Sequence, residues 1–164
     1  MRTLVLMRHA KSDYPDGVPD HARPLASRGR REAGLAGEWM RENTPAVEAV
    51  LCSSATRTRQ TLARTGIDAP ATFLDRLYGA GPGTMIAEIN RVADDVTTLL
   101  VVGHEPTVSQ VALGLAGRPG SDADAAGRIA LKFPTSGIAV LRVPGSWAGL
   151  ELGGAELTAF HVPR

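Results

Sequence analysis

Thr98-Leu99-Leu100-Val101-Val102-Gly103-His104-Glu105-Pro106 passes directly from an unbroken apolar run into a polar turn. Every residue from Leu99 to Val102 is apolar, so no side of the run is left for solvent, and it is too short for an amphipathic helix. It reads as a strand in a sheet covered by helices on both faces. Pro106 suits the first turn of a helix over about Thr107–Ala116.

The same alternation recurs on either side. Thr3–Met7 and Val47–Cys52 read as buried strands, and Ala71–Leu74 as a short one. A helix is expected from Ser27, as its cap, to about Glu42, with Ala33, Ala36, Trp39 and Met40 on one face. A second is expected over Ala55–Arg64, stopping near Gly66. Met85, Ile86, Ile89 and Val92 give a further apolar helical face. Lys11–Arg23, with Pro15, Gly17 and Pro19, reads as a loop, and so does Gly117–Gly127. Ile138–Val143 and Glu156–Val162 read as the last strands. Strands alternating with helices predict an α/β fold, a three-layer α/β/α sandwich with a mostly parallel central sheet. Neither a repeat nor a linker divides residues 1–164, so a single domain is expected.

Composition narrows the function. Eighteen basic and seventeen acidic residues leave a net charge of +1, which argues against a broad nucleic-acid surface. Only Leu4-Val5-Leu6-Met7 is apolar before Arg8, too little for a signal peptide, and no segment reaches the roughly 20 apolar residues of a membrane span. The single cysteine, Cys52, suits a reducing compartment. A cytoplasmic protein without a membrane partner is therefore expected. No residue pattern specifies an oligomeric state.

The chemistry-bearing residues sit just past the carboxyl ends of the apolar strands. Arg8-His9 follows the first, Ser53-Ser54-Ala55-Thr56-Arg57 the second, and Gly103-His104-Glu105 the run quoted above. Ligands of open α/β sheets bind at those strand ends. Two arginines and two histidines delivered to one edge suit phosphoryl transfer, where catalysis is mainly positioning and positive charge. A guanidinium binds two oxygens at once and stays protonated. A histidine attacks phosphorus only through an unprotonated ring nitrogen, so its other N–H needs an acceptor. Taken singly, each residue also has a plainer reading, as a solvated strand end, a helix cap or a core histidine.

Met7-Arg8-His9-Ala10 resembles the Arg-His-Gly signature of the histidine phosphatase superfamily, also called phosphoglycerate mutase-like. Ser53–Thr61 resembles its Ser-Pro-x-x-Arg-x-x-Gln-Thr segment, and Val102-Gly103-His104 its Val-Gly-His segment. Arg23-Pro24-Leu25-Ala26-Ser27-Arg28-Gly29 is similar to the Arg-Pro-Leu-x-x-x-Gly stretch of the short SixA-like phosphohistidine phosphatases, as is Phe133-Pro134-Thr135. The resemblance implies that His9 is phosphorylated, that Arg8 and Arg57 clamp the phosphoryl oxygens, that His104 completes the pocket, and that water releases the phosphate. It implies no metal and no cofactor. Ala10 stands where the wider family has Gly, and Ser54 where it has Pro. The carboxylate after the third strand, Asp75, does not match the mutase spacing.

Glu105 has two readings, a general acid or a charge on the following helix N-terminus. A phosphohistidine's imidazole leaves more readily than a sugar alkoxide, so a weak general acid favours a phosphorylated protein as substrate. Small phosphomonoesters are the alternative; a mutase and a phosphate-binding module without turnover are rivals.

Other chemistries fit less well. In a Cys-x5-Arg loop starting at Cys52 the required position is Thr58, with Arg57 one residue early and Arg59 one late. The histidines at 9, 21, 104 and 161 form no ligand pair. The glycines of Gly79-Ala80-Gly81-Pro82-Gly83 lack the lysine of a phosphate-binding loop. Lys11, Ser12 and His21 lie near the candidate site in sequence or at its rim, and solvation accounts for them equally well. His161 reads as structural.

Overall fold

The apolar runs become strands β1 (Arg2–Arg8), β2 (Ala49–Ser53), β3 (Ala71–Leu74), β4 (Thr98–Gly103), β5 (Ile138–Val143) and β6 (Glu156–His161). In the computed structural model, which describes residues 1–164, they form one sheet in the order β3-β2-β4-β1-β5-β6. The β2–β3, β2–β4 and β1–β4 pairings are parallel, while β5 runs antiparallel to both its neighbours. The expected mostly parallel α/β architecture is therefore present.

Strand alternation divides the core in two. Leu4, Leu6, Leu99, Val101, Ala139 and Leu141 face helices α3 (Pro82–Asn90), α4 (Thr107–Leu115) and α5 (Ala123–Leu131). Val5, Met7, Val50, Cys52, Leu100 and Val102 face α1 (Ser27–Asn43) and α2 (Thr56–Thr65). β4 is buried along its whole length because both faces are covered. Trp147 is fully buried, and its indole N–H donates to the Val96 carbonyl at 2.7 Å. Trp39 is half-buried and stacks on His161 at 4.7 Å, a structural place for that histidine.

Two expectations are corrected. Ser27 is not the cap of α1; Ala26 holds that position, and the Ser27 hydroxyl accepts from Arg30 Nη2 at 2.9 Å. The start of the helix is set by tertiary contact instead, because the Ala26 N–H is held by the Lys11 carbonyl at 2.9 Å. The stretch read as a loop from Gly117 to Gly127 contains the first half of α5. Asp122 caps it by accepting from the Ala125 N–H at 3.0 Å, and Ala125 and Ile129, one turn apart, are buried.

α1 lies very close to α2. An added Cβ at Gly37 would fall 2.0 Å from the Thr65 carbonyl oxygen. At Gly29 it would fall 2.1 Å from that of Lys11. Glycine at position 29 thus lets the loop after β1 lie directly on α1, and this loop frames the site described next.

Candidate active site

The parallel register places Arg8 opposite Gly103, and the His9 N–H continues the ladder to the Gly103 carbonyl at 3.0 Å. β2 pairs on the other side of β4, Cys52 against Val102. Three adjacent strands therefore end at one edge and bring Arg8, His9, Arg57 and His104 together. The His9 and His104 rings lie 5.3 Å apart, centroid to centroid.

His9 is only 7% exposed. Its Nδ1 lies 2.8 Å from the Ala10 carbonyl oxygen, which can only accept. Nδ1 therefore carries the proton, and Nε2 keeps its lone pair. Burial pushes the His9 pKa down to about 3; the Ala10 hydrogen bond opposes this, and His104, Arg57 and Arg8 add to it. The ring is neutral at ordinary pH.

Three positive or polar side chains surround it. Arg8 donates from Nη1 to the Phe133 carbonyl at 2.9 Å, which ties it to the Phe133-Pro134-Thr135 segment. Burial lowers the Arg8 pKa, while Glu105 and Tyr14 act in the opposite sense. Arg57, near the start of α2, is 6% exposed and donates to Asp20 twice, from Nη1 to its carbonyl at 2.7 Å and from Nη2 to its carboxylate at 3.1 Å. His104 Nε2 pairs with the Ser53 hydroxyl at 2.8 Å, and burial, followed by the Arg57 charge, pushes its pKa down to about 4. Arg8 Nε, Arg57 Nε and His104 Nδ1 are buried with no protein partner. Buried polar atoms are ordinarily paired, so their concentration here marks a place for oxygen acceptors. A neutral nucleophilic nitrogen beside two guanidinium groups is suited to attack on an anionic phosphorus centre.

The surrounding loops are pinned by residues of the same sequence segments. Thr61 Oγ1 accepts from the Ala10 N–H at 2.9 Å and donates to the Arg57 carbonyl at 2.7 Å, coupling the two loops. Gln60 Oε1 accepts from the Leu25 N–H at 2.8 Å. Ser136, at φ 66°, is the one non-glycine residue in the left-handed region, so Ala10 needs no glycine-like backbone. Ser12 is buried and accepts from Arg23 Nη1, whereas Lys11 is exposed.

Glu105 adopts the helix-terminus geometry. One carboxylate oxygen accepts from the Ser109 N–H and the other from the Ser109 hydroxyl, each at 2.7 Å. Cys52 is buried beneath the loop, and burial raises its thiol pKa to about 12, far from a thiolate nucleophile.

The model of the histidine phosphatase superfamily (branch 1) matches residues 4–86, half of the chain. The chain belongs to the histidine phosphatase superfamily. The structure named SixA from Nakamurella multipartitia superposes on this histidine phosphatase with a TM-score of 0.90 at 44% identity, covering 99% of this chain and 96% of the other. The uncharacterized protein Rv1276c of Mycobacterium tuberculosis is 71% identical over 158 residues, 96% of this chain and 100% of its own. The phosphohistidine phosphatase SixA of Escherichia coli is 30% identical over 111 residues, 64% of this chain and 68% of its own. The resemblance to the SixA-like branch thus holds, and it supports phosphatase activity.

Within this histidine phosphatase pocket, the four residues singled out in the sequence lie together, and Glu105 lies beside them, turned toward α4. Asp20 and Tyr78 were not expected as parts of the site; His21 was placed only at its rim, and Ser53 and Phe133 were quoted within family-like segments without a role. Tyr78 donates to the Asp20 carboxylate at 2.5 Å, a bond that lowers the Asp20 pKa and raises that of Tyr78. No local motif points to Asp20 and Tyr78, because they reach the pocket from a proline-rich loop and the end of a 3-10 turn.

Proposed function

We propose that residues 1–164 form a single histidine phosphatase domain that hydrolyses protein phosphohistidine through a phosphohistidine intermediate on His9. The observation that carries this reading is the hydrogen bond from His9 Nδ1–H to the Ala10 carbonyl, which leaves Nε2 as the nucleophile beside Arg8, Arg57 and His104. Nε2 forms a bond to phosphorus as the bond to the leaving imidazole breaks, and Arg8, Arg57 and His104 hold the three equatorial oxygens. Water then cleaves the phosphorus–nitrogen bond, and phosphate leaves.

The substrate class rests on the leaving group. Glu105, the acid nearest to the clamp in sequence, has both oxygens on Ser109. That arrangement suits a leaving group that departs with little proton assistance, as an imidazole does. Similarity to proteins named phosphohistidine phosphatase SixA points the same way. Small phosphomonoesters are the competing substrates.

Rapid-quench mass spectrometry with an imidazole phosphate or acyl phosphate tests the reading. A transient adduct mapping to His9 is expected, with phosphohistidine peptide turned over faster than sugar phosphates. A persistent adduct would indicate a transferase, and bound donor with neither adduct nor release a binding module. Sugar-phosphate turnover rivalling that of phosphohistidine would remove the substrate assignment.

A further inference from the structure

A third hydrogen-bonded histidine, His21, stands beside the pocket. The Ser54 hydroxyl contacts Asp75 Oδ1 at 2.5 Å and His21 Nε2 at 3.0 Å. A carboxylate only accepts, so Ser54 gives its single proton to Asp75 and must accept from His21. His21 therefore carries a proton on Nε2, and in the neutral ring the lone pair lies on Nδ1.

Its position follows from its neighbours. Asp20, the preceding residue, is fastened to Arg57 through both carbonyl and carboxylate. The His21 ring packs edge-on to Tyr78 at 4.7 Å, and Tyr78 packs edge-on to His104 at 5.6 Å. His21 is an exposed residue, so water reaches it. Ser54 is 8% exposed, so the middle of the Asp75–Ser54–His21 chain is sheltered.

We propose that His21 is the proton acceptor for hydrolysis of phosphorylated His9, held in place by Ser54 and Asp75; this rests on the His9 phosphoenzyme proposed above. As the water oxygen bonds to phosphorus, its proton passes to His21 Nδ1 and the phosphorus–Nε2 bond breaks, its electron pair returning to His9. Phosphate departs, and the resulting His21 imidazolium, whose Nε2–H still points at Ser54 and thus toward Asp75, returns the proton to solvent. Leaving-group departure from phosphohistidine needs little proton assistance, but water attack requires proton removal whatever the substrate. His21 is thus assigned to the second half-reaction.

The test separates the two half-reactions in the full-length protein, with acetyl phosphate as donor. After rapid removal of donor, the His9 adduct is followed by intact mass. His21→Ala is expected to form the adduct within about threefold of the wild-type rate and to lose it roughly 10²-fold more slowly, the lower end of general-base effects. Added imidazole should shorten the lifetime again. His21→Gln, which retains an N–H donor for Ser54, should behave as His21→Ala does, a result that a purely packing role would not give. An unchanged adduct lifetime in His21→Ala, or formation and decay slowed equally without imidazole rescue, would overturn the assignment while leaving the His9 intermediate standing. Absence of any adduct in the wild type would overturn both.

Discussion

Asp20 holds the Arg57 guanidinium at two points, its carbonyl accepting from Nη1 at 2.7 Å and its carboxylate from Nη2 at 3.1 Å. The same carboxylate accepts from Tyr78 and from Arg23. An anion held by the clamp arginine faces this negative charge, although Asp20 also keeps the guanidinium in place. Asp20→Asn retains the shape and removes the charge. Binding of inorganic phosphate, measured by calorimetry, is expected to tighten roughly two- to fivefold, the scale of one exposed ion pair. Weaker binding would mean that orientation of Arg57 outweighs the repulsion.

Arg57→Ala removes the most buried cation of the clamp. Turnover is expected to fall about 10²–10³-fold, as when one donor to a developing anion is deleted, and phosphate binding should weaken with it. An unchanged turnover number would exclude Arg57 from the clamp.

His9→Ala is expected to abolish turnover and the mass adduct while leaving the circular dichroism spectrum native. Activity near that of the wild type would refute His9 as nucleophile.

The neutral state of His9 has consequences for pH. With its pKa depressed to about 3, the free enzyme retains its nucleophile on acidification from pH 7 to 5. Second-order adduct formation from acetyl phosphate should not show the half-loss near pH 6.5 of an ordinary histidine. For stability the sign is opposite. The unfolded chain binds the proton below about pH 6.5 and the folded chain does not, so stability falls by up to roughly 1.4 kcal/mol per pH unit as pH drops from there toward 3. Denaturant midpoints at pH 7 and pH 5 measure that loss; equal midpoints would contradict a buried neutral His9.

Glu105→Ala tests the two readings of that carboxylate. Loss of the bonds to Ser109 should cost about 0.5–2 kcal/mol, as for other helix caps, with turnover of phosphohistidine kept within about twofold. A 10²-fold fall confined to poor leaving groups would instead identify a general acid.

The His9–Arg8–Arg57–His104 grouping was legible because each residue lies at or within a few residues of the end of a short apolar run, and such runs become neighbouring strands of one sheet. The resemblance of these segments to a known family named their order. α5 was hidden by composition: Gly117, Gly120 and Ser121 read as loop, and the Asp122 cap is followed by only two buried positions, Ala125 and Ile129. Asp20 and His21 were hidden for a different reason. Their roles depend on where a thirteen-residue loop, Lys11 to Arg23, comes to rest, and that is decided by Gly29 and Gln60 from outside the loop and by the Arg23–Ser12 bond across it. The geometry of Ser54 and Asp75 is of the same kind, since their hydrogen bond joins the ends of β2 and β3.

The register of β1 against β4 carries a wider consequence. Because Arg8 lies opposite Gly103 and β4 is buried along its whole length, the spacing of His9 and His104 belongs to the sheet and not to the segments that cover it. Those covering segments, residues 11–26 and 75–83, carry Asp20, His21 and Tyr78 to the rim of the pocket. The spacing of the two histidines is thus set by one part of the molecule and the rim of the pocket by another, so a substitution in residues 11–26 or 75–83 changes the rim without moving the strand ends.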